Sequence, residues 1–206
     1  MTTLPFSKRF FGHLKTILIH KKWVLFYCIK AGIPFQGIVH DLSKFHPVEF
    51  FEGVKYYTGD VSPIVTAKKD KGYSSAWFHH KGRNKHHYEF WMDKFDDGGV
   101  NIMMPEKYAI EQICDYLAAG RAYNGSSFTY QSEREWWQAR KKKPLAMHPA
   151  LQAFTTACID YMTASEEFPP KNLMHLYYTE SIRVYKERHP EDTVSIPLHR
   201  RGDIQN

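Results

Sequence analysis

The chain has 206 residues, 43% hydrophobic and 24% charged, with 28 Lys and Arg against 22 Asp and Glu for a formal net charge of +6. That balance excludes a disordered chain and suits one domain with a sizeable core, while the positive excess is small enough to be a solvated basic surface. The longest unbroken apolar run, Trp23 to Ile29, falls short of the roughly 20 residues that span a bilayer, and three scattered cysteines, Cys28, Cys114 and Cys158, form neither a disulfide framework nor a CxxC zinc pair and predict a reducing, cytoplasmic setting.

In chain order the pattern is one of successive helices, with few alternating strand signals. A first helix is expected over about Ser7 to Ala31, with Ile17, His20, Val24, Tyr27, Cys28 and Ala31 on one face and Gly32 as its stop. Pro34 opens a second, whose apolar set is Phe35, Ile38, Val39, Leu42 and Phe45; Pro47 opens a third, to about Tyr57. Ser62-Pro63 reads as a cap and first-turn proline for helical sequence to about His80, with Gly72 weakening its middle. A short helix over His86 to Phe95 and a loop at Asp96-Asp97-Gly98-Gly99 precede a strong helix from Pro105 to about Tyr123. Ser132 and Glu135 have capping-box spacing ahead of Trp136-Trp137. His148-Pro149 starts a helix to about Ala164, Pro169-Pro170 precedes the last, to about Arg188, and His189 to Asn206 is expected to be a polar, flexible tail.

Histidine is the unusual residue. Eight of the 12 histidines lie between His13 and His87. His20 sits within an apolar stripe, where an imidazole is either a satisfied core residue or a ligand. His40-Asp41 follows in GIVHDLSKF; adjacent residues on a helix diverge, yet side chains of different length can converge on one ion, and a lone His-Asp pair can equally be a capping or surface pair. Asp115 lies among apolar and small residues in IEQICDYLAAG, where a carboxylate is costly unless paired or metal-bound; the alternative is an exposed Asp on an amphipathic helix. Imidazole with carboxylate suits Zn, Fe, Mn or Ni better than Ca.

The order H…HD…D on three helices resembles the HD-domain superfamily of metal-dependent phosphohydrolases, over about residues 13 to 124. HKKWV is similar to its first His segment, HDLSK to its HD helix with Lys44 at the basic position, and CDYLAAG to its final Asp helix. A second signature, AWFHHKGRNKHHYEFW from Ala76 to Trp91, together with HDLSKF looks like a small uncharacterised bacterial and phage family. The resemblance implies an all-α, HD-like helical bundle with additional C-terminal helices: one domain over 1–188, its metal-bearing part about 7–124 and its C-terminal helices about 132–188, then a tail over 189–206. It also implies that His20, His40, Asp41 and Asp115 hold one divalent transition metal (Fe, Mn, Zn, Ni or Co), with His80 and His87 either helping to hold a second ion or binding substrate. His79 and His86 share the same seven-residue spacing.

The expected function is hydrolysis of a nucleotide or other small phosphate ester by metal-activated water, with Lys44, Arg83 and Lys85 neutralising phosphate charge and Asp41 or Glu111 orienting the water. Glu111 is one helical turn before Asp115 and shares its face. Two other readings stand beside it. The superfamily resembled also contains di-iron oxygenases. Trp136-Trp137 followed by Arg140, Lys141, Lys142 and Lys143 suits nucleic acid, or else a core pair beside a basic helix end. His13 and His46 are candidate capping or supporting residues, and Tyr177, Tyr178 and Tyr185 pack the last helix.

Overall fold

The structure is a computed structural model and describes residues 4–93 and 99–196. Helices dominate: nine α-helices and one two-stranded hairpin among the described residues. The chain forms two compact units, one of residues 4–29, 33–84 and 114–128, the other of residues 30–32, 85–93, 99–113 and 129–196.

The first unit is built on α1 (Phe6–Lys30). Ile17, His20, Val24, Tyr27, Cys28 and Ala31, the stripe read from the sequence, are all buried. The second helix departs from expectation. α2 (Pro34–Val39) lasts only six residues, and Phe35, Ile38, Val39, Leu42 and Phe45 are exposed rather than core. The cause is Gly37, the one buried residue of α2. A Cβ there would lie 2.8 Å from Cys28 Cβ and 2.9 Å from Leu25 Cα, so the glycine sets how closely α2 lies on α1. The glycine face, not the apolar face, therefore turns inward.

α3 (Pro47–Tyr56) starts as its first-turn proline predicts, and His46 caps it by accepting from Val48 N at 3.3 Å. The stretch from Pro63 to His80 is two helices, α4 (Pro63–Lys71) and α5 (Ser75–Lys81). Gly72, with φ +81°, ends α4 in the left-handed region, and Ser74 caps α5 through Trp77 N at 3.0 Å. Ser62 occupies the N-cap position of α4 without a side-chain capping bond. In α6 (Glu106–Asn124) every residue from Ala109 to Asp115 is buried, as expected of a helix apolar on most sides. Its last turns fix to α1: Arg121 Nε donates to Tyr27 Oη at 2.6 Å, and the guanidinium lies 4.5 Å from the Trp23 ring centroid.

In the second unit the expected helix over His86 to Phe95 is a 3-10 turn, Tyr88–Trp91, followed by β1 (Met92–Asp93), which pairs antiparallel with β2 (Val100–Asn101). Lys94 and Phe95, the end of the expected helix, and the loop residues Asp96, Asp97 and Gly98 lie outside the described residues. α7 (Tyr130–Lys141) is capped by Thr129, with Ser132 as the reciprocating third residue, so the box sits three residues earlier than the Ser132 spacing suggests. Trp137 is core and donates to Thr156 Oγ1 at 3.0 Å, whereas Trp136 is exposed.

α8 (Pro149–Ser165) and α9 (Lys171–Arg188) begin after the expected proline signals. Tyr178 is buried and donates to Met104 O at 2.8 Å. Residues 189–196 are tied down rather than loose: Met103 N donates to Ser195 O at 2.8 Å, Ser195 Oγ meets His148 Nε2 at 2.9 Å, and Ser195 Oγ donates to Asp192 Oδ2. The tail beyond Ile196, with His199, lies outside the described residues. All three cysteines are buried thiols. No helix among the described residues is long and apolar enough to cross a membrane.

Candidate metal centre

Three segments of the first unit bring four buried donors together. α1 supplies His20, the turn after α2 supplies His40 and Asp41, and α6 supplies Asp115. His20 Nε2 is 3.4 Å from His40 Nε2, 3.7 Å from Asp41 Oδ2 and 3.1 Å from Asp115 Oδ1. His40 Nε2 is 3.2 Å from Asp41 Oδ2 and 3.6 Å from Asp115 Oδ1. Four N or O ligands at about 2.0–2.2 Å from one ion sit about 2.8–3.6 Å apart from their neighbours. The observed spacing of 3.1 to 3.7 Å is that of ligands around a common centre.

The HD dipeptide achieves this by leaving the helix. Neighbours on a continuous helix point about 100° apart. α2 stops at Val39, His40 is extended with ψ 128°, and Asp41 takes φ 53° and ψ 28° in the left-handed region. That turn swings both side chains to one point. Asp is one of the few residues that enters this region, at a cost of about 1–3 kcal/mol. Lys21, next to His20, holds the turn by donating to His40 O at 2.6 Å and Ile38 O at 3.3 Å. These are carbonyls the ended helix leaves open.

Charge supports the same fit. Burial opposes ionising Asp41, but His40, Lys44 and His80 hold its pKa well below the usual carboxylate range. Burial likewise opposes Asp115, and hydrogen bonds from His20 and His40 win. Burial, then Lys44, lowers His20 to about 4, so its imidazole is neutral near pH 7. Burial disfavours charged Lys44, yet Asp41 at 2.7 Å, with Asp115 beyond, raises its pKa. Asp41, Asp115 and the neutral His20 converge in a buried place beside a single lysine, a donor set that suits a divalent cation. Nitrogen and oxygen donors in this mixture suit a transition metal.

His80, on α5, adjoins the cluster, with Nε2 3.3 Å from Asp41 Oδ1. Its other nitrogen faces Glu49 Oε2 at 2.7 Å, while Glu49 Oε1 takes His79 Nδ1 at 2.6 Å. Burial raises the pKa of Glu49, but hydrogen bonds from His80 and His79 bring it below the usual value. An ionised Glu49 fixes the proton of His80 on Nδ1 and turns the Nε2 lone pair toward Asp41, the arrangement that orients ligating histidines elsewhere. Asn84 completes the corner by donating to Ser43 Oγ and His80 O, both at 2.8 Å. Sequence reasoning missed Glu49 and Lys21; nothing local distinguishes either from an ordinary helix residue.

A cavity of about 220 Å³ adjoins the cluster within this unit. His20, Lys44, His80 and Asp115 line it together with His13 and the apolar Ile17, Ile64, Ala119 and Ala122. Arg83 is absent from its walls; its Nη1 donates to His79 O at 3.4 Å on the exposed side of α5. Lys85, His86, His87 and Glu111 belong to the second unit. There His86 Nδ1 is 3.1 Å from Glu111 Oε1, both buried, and the His86 and His87 rings are 4.3 Å apart.

Fold and cluster together define a mostly helical protein whose buried His and Asp residues form a group compatible with metal binding. Residues 9–161 match the model of a family of unknown function, DUF5662, and the chain belongs to that family. HDLSKF and HHKGRNKHH both fall inside the matched span. No curated protein and no solved structure matches the chain.

Proposed function

We propose that the protein is a metal-dependent phosphohydrolase of HD-like fold, acting on a small phosphate ester. The observation that carries the reading is the convergence of His20 Nε2, His40 Nε2, Asp41 Oδ2 and Asp115 Oδ1 beside a cavity that Lys44 also lines. The chemistry supplied by a divalent ion held by these four is a lowered pKa for water and a polarised phosphoryl oxygen. In the net reaction a P–O bond to the water oxygen forms and the P–O bond to the alcohol breaks, giving alcohol and inorganic phosphate. Lys44 neutralises phosphate charge as a point charge, and its contact with Asp41 keeps it at the cluster. His80, held by Glu49, extends the donor set on the Oδ1 side of Asp41 toward a second ion.

Elemental analysis of protein purified without chelator or affinity metal, followed by a panel of phosphate esters, tests it. Asp41→Ala abolishes both metal loading and turnover. Full metal retention in that variant overturns the ligand set. One observation favours a second reading: the cavity walls are largely apolar, which suits oxygenation of an apolar substrate by a di-iron form of the same cluster. A coupled di-iron signal without phosphatase activity would establish that alternative.

A further inference from the structure

The positive charge is not spread along the chain. Residues 1–40 carry six Lys or Arg and no Asp or Glu, while the rest of the chain carries 22 of each sign, so the whole net charge of +6 sits in this first stretch. Most of the stretch is α1, which turns Ile17, His20, Val24 and Tyr27 inward. The opposite face presents Phe11, Lys15, Leu18, Lys22, Phe26 and Ile29, all exposed. Their steps of three and four residues make one continuous stripe about 27 Å long. Phe11, Leu18 and Ile29 are 67%, 52% and 59% exposed. Phe11, Leu14, Leu18 and Ile19 line a surface depression together with Lys15 and Lys22.

A helix packed by one face ordinarily carries polar residues on the other. Here large apolar side chains stand in water along the helix, and a continuous exposed apolar surface marks a contact. Its charge is of one sign. Lys8, Lys15 and Lys22 make no ion pair among the described residues; Lys22 lies 5.9 Å from the Trp23 ring centroid. That mixture indicates what covers the stripe. A two-fold contact with a second copy would set lysine against lysine, with no carboxylate on either helix to offset them. Protein interfaces favour arginine and are depleted in lysine. Single-stranded nucleic acid is held by aromatic stacking, which Leu18 and Ile29 do not supply. An anionic bilayer takes both components: apolar side chains enter the acyl boundary, and lysine stems run beside them with the ammonium groups at the headgroups.

We propose that the outward face of α1 is a membrane-docking surface whose partner is an anionic lipid bilayer, contacted from Phe11 to Ile29. α1 is not apolar enough to cross a bilayer; it lies along the surface. The inference is independent of the phosphohydrolase reading, because none of the six stripe residues lines the cavity beside the metal donors. Full-length protein is floated with vesicles of phosphatidylcholine alone or with about one-third phosphatidylserine. It partitions at least about tenfold more strongly onto the anionic vesicles, and about 0.5 M salt removes most of that difference. Lys15→Gln with Lys22→Gln lowers partitioning about 10–30-fold, from about fivefold per lysine at an anionic surface. Phe11→Gln with Leu18→Gln lowers it at least about tenfold at unchanged charge. Both double variants keep the circular dichroism and metal content of wild type, because all four side chains are exposed. No partitioning of the wild-type chain onto anionic vesicles overturns the proposal without any variant, as does equal partitioning onto neutral ones or binding that both double variants leave unchanged. A concentration-dependent dimer in sedimentation that Phe11→Gln with Leu18→Gln dissolves assigns the face to a second copy. Single-stranded DNA bound as tightly as the anionic vesicles assigns it to nucleic acid, and either result overturns membrane docking.

Discussion

Glu49→Gln isolates the link between the helix pair α3 and α5 and the metal donors. Glu49 is 5% exposed and accepts from two imidazoles, at 2.6 and 2.7 Å. Glutamine keeps one acceptor oxygen and replaces the other by an NH2 donor. Whichever way the amide is turned, a donor then faces an imidazole N–H. Either that bond is lost, or the ring moves its proton to Nε2 and points an N–H at Asp41 Oδ1, now 3.3 Å away. Losing a charge-assisted bond costs about 1.5–3 kcal/mol, and partners of ligating histidines contribute about 10–100-fold in metal affinity. Chelator-treated protein titrated with Mn²⁺ or Zn²⁺ should therefore bind about 10–100-fold more weakly in the variant, and its melting temperature should fall by about 3–10 °C. Metal affinity and melting temperature both equal to wild type would show that Glu49 does not orient His80.

Three further outcomes are expected. Asp41→Asn keeps the fold by circular dichroism, because Asn also accepts the left-handed turn, but loses metal content by elemental analysis to below about a tenth of wild type. Gly37→Ala drives α2 off α1 and costs about 1–3 kcal/mol in urea denaturation, with weaker metal binding because His40 moves with α2; an unchanged midpoint refutes the close-approach argument. His148, whose Nδ1 accepts from Ala150 N, has its pKa lowered to about 4 by burial, against the pull of Asp192. The unfolded chain thus takes up this proton first, so stability is full above pH ~6.5 and falls by up to about 3 kcal/mol as pH drops from 6.5 toward 4. His148→Asn, which keeps a capping oxygen, should flatten that acid slope by one proton in urea midpoints measured across this window.

Helix starts were the most legible part of the chain, because proline and capping residues act within one turn: Pro47, Pro63 and Pro149 each open a helix where the sequence places it. The stripe from Ile17 to Ala31 was legible for the same reason, its periodicity running through one long helix. His20, His40, Asp41 and Asp115 could be nominated because burial of such residues needs a reason, and the structure gathers all four. What could not be read was set by contacts distant in sequence. The apolar set Phe35 to Phe45 promises a buried face, but Gly37 meeting α1 turns that face outward. Glu49 acquires its role only when α5, 30 residues on, packs against α3. His13 reads as a capping residue until Gly53 is seen to make room for its ring.

The break at His40-Asp41 joins these strands of reasoning. A continuous helix through Phe45 would have buried the apolar set and left His40 and Asp41 pointing about 100° apart. Stopping the helix at Val39 exposes five apolar residues and holds Asp41 in a left-handed conformation, and both are unfavourable. Lys21, Lys44 and the close packing at Gly37 hold that arrangement against its own cost. A fold that needed only a core at this position would have no reason to keep it, since burying Phe35 and Leu42 is the cheaper solution. Strain, exposed apolar surface and a buried carboxylate meet at one dipeptide, and the property they share is the placement of two different donors on a common point. That placement is what a ligand site requires and a core does not.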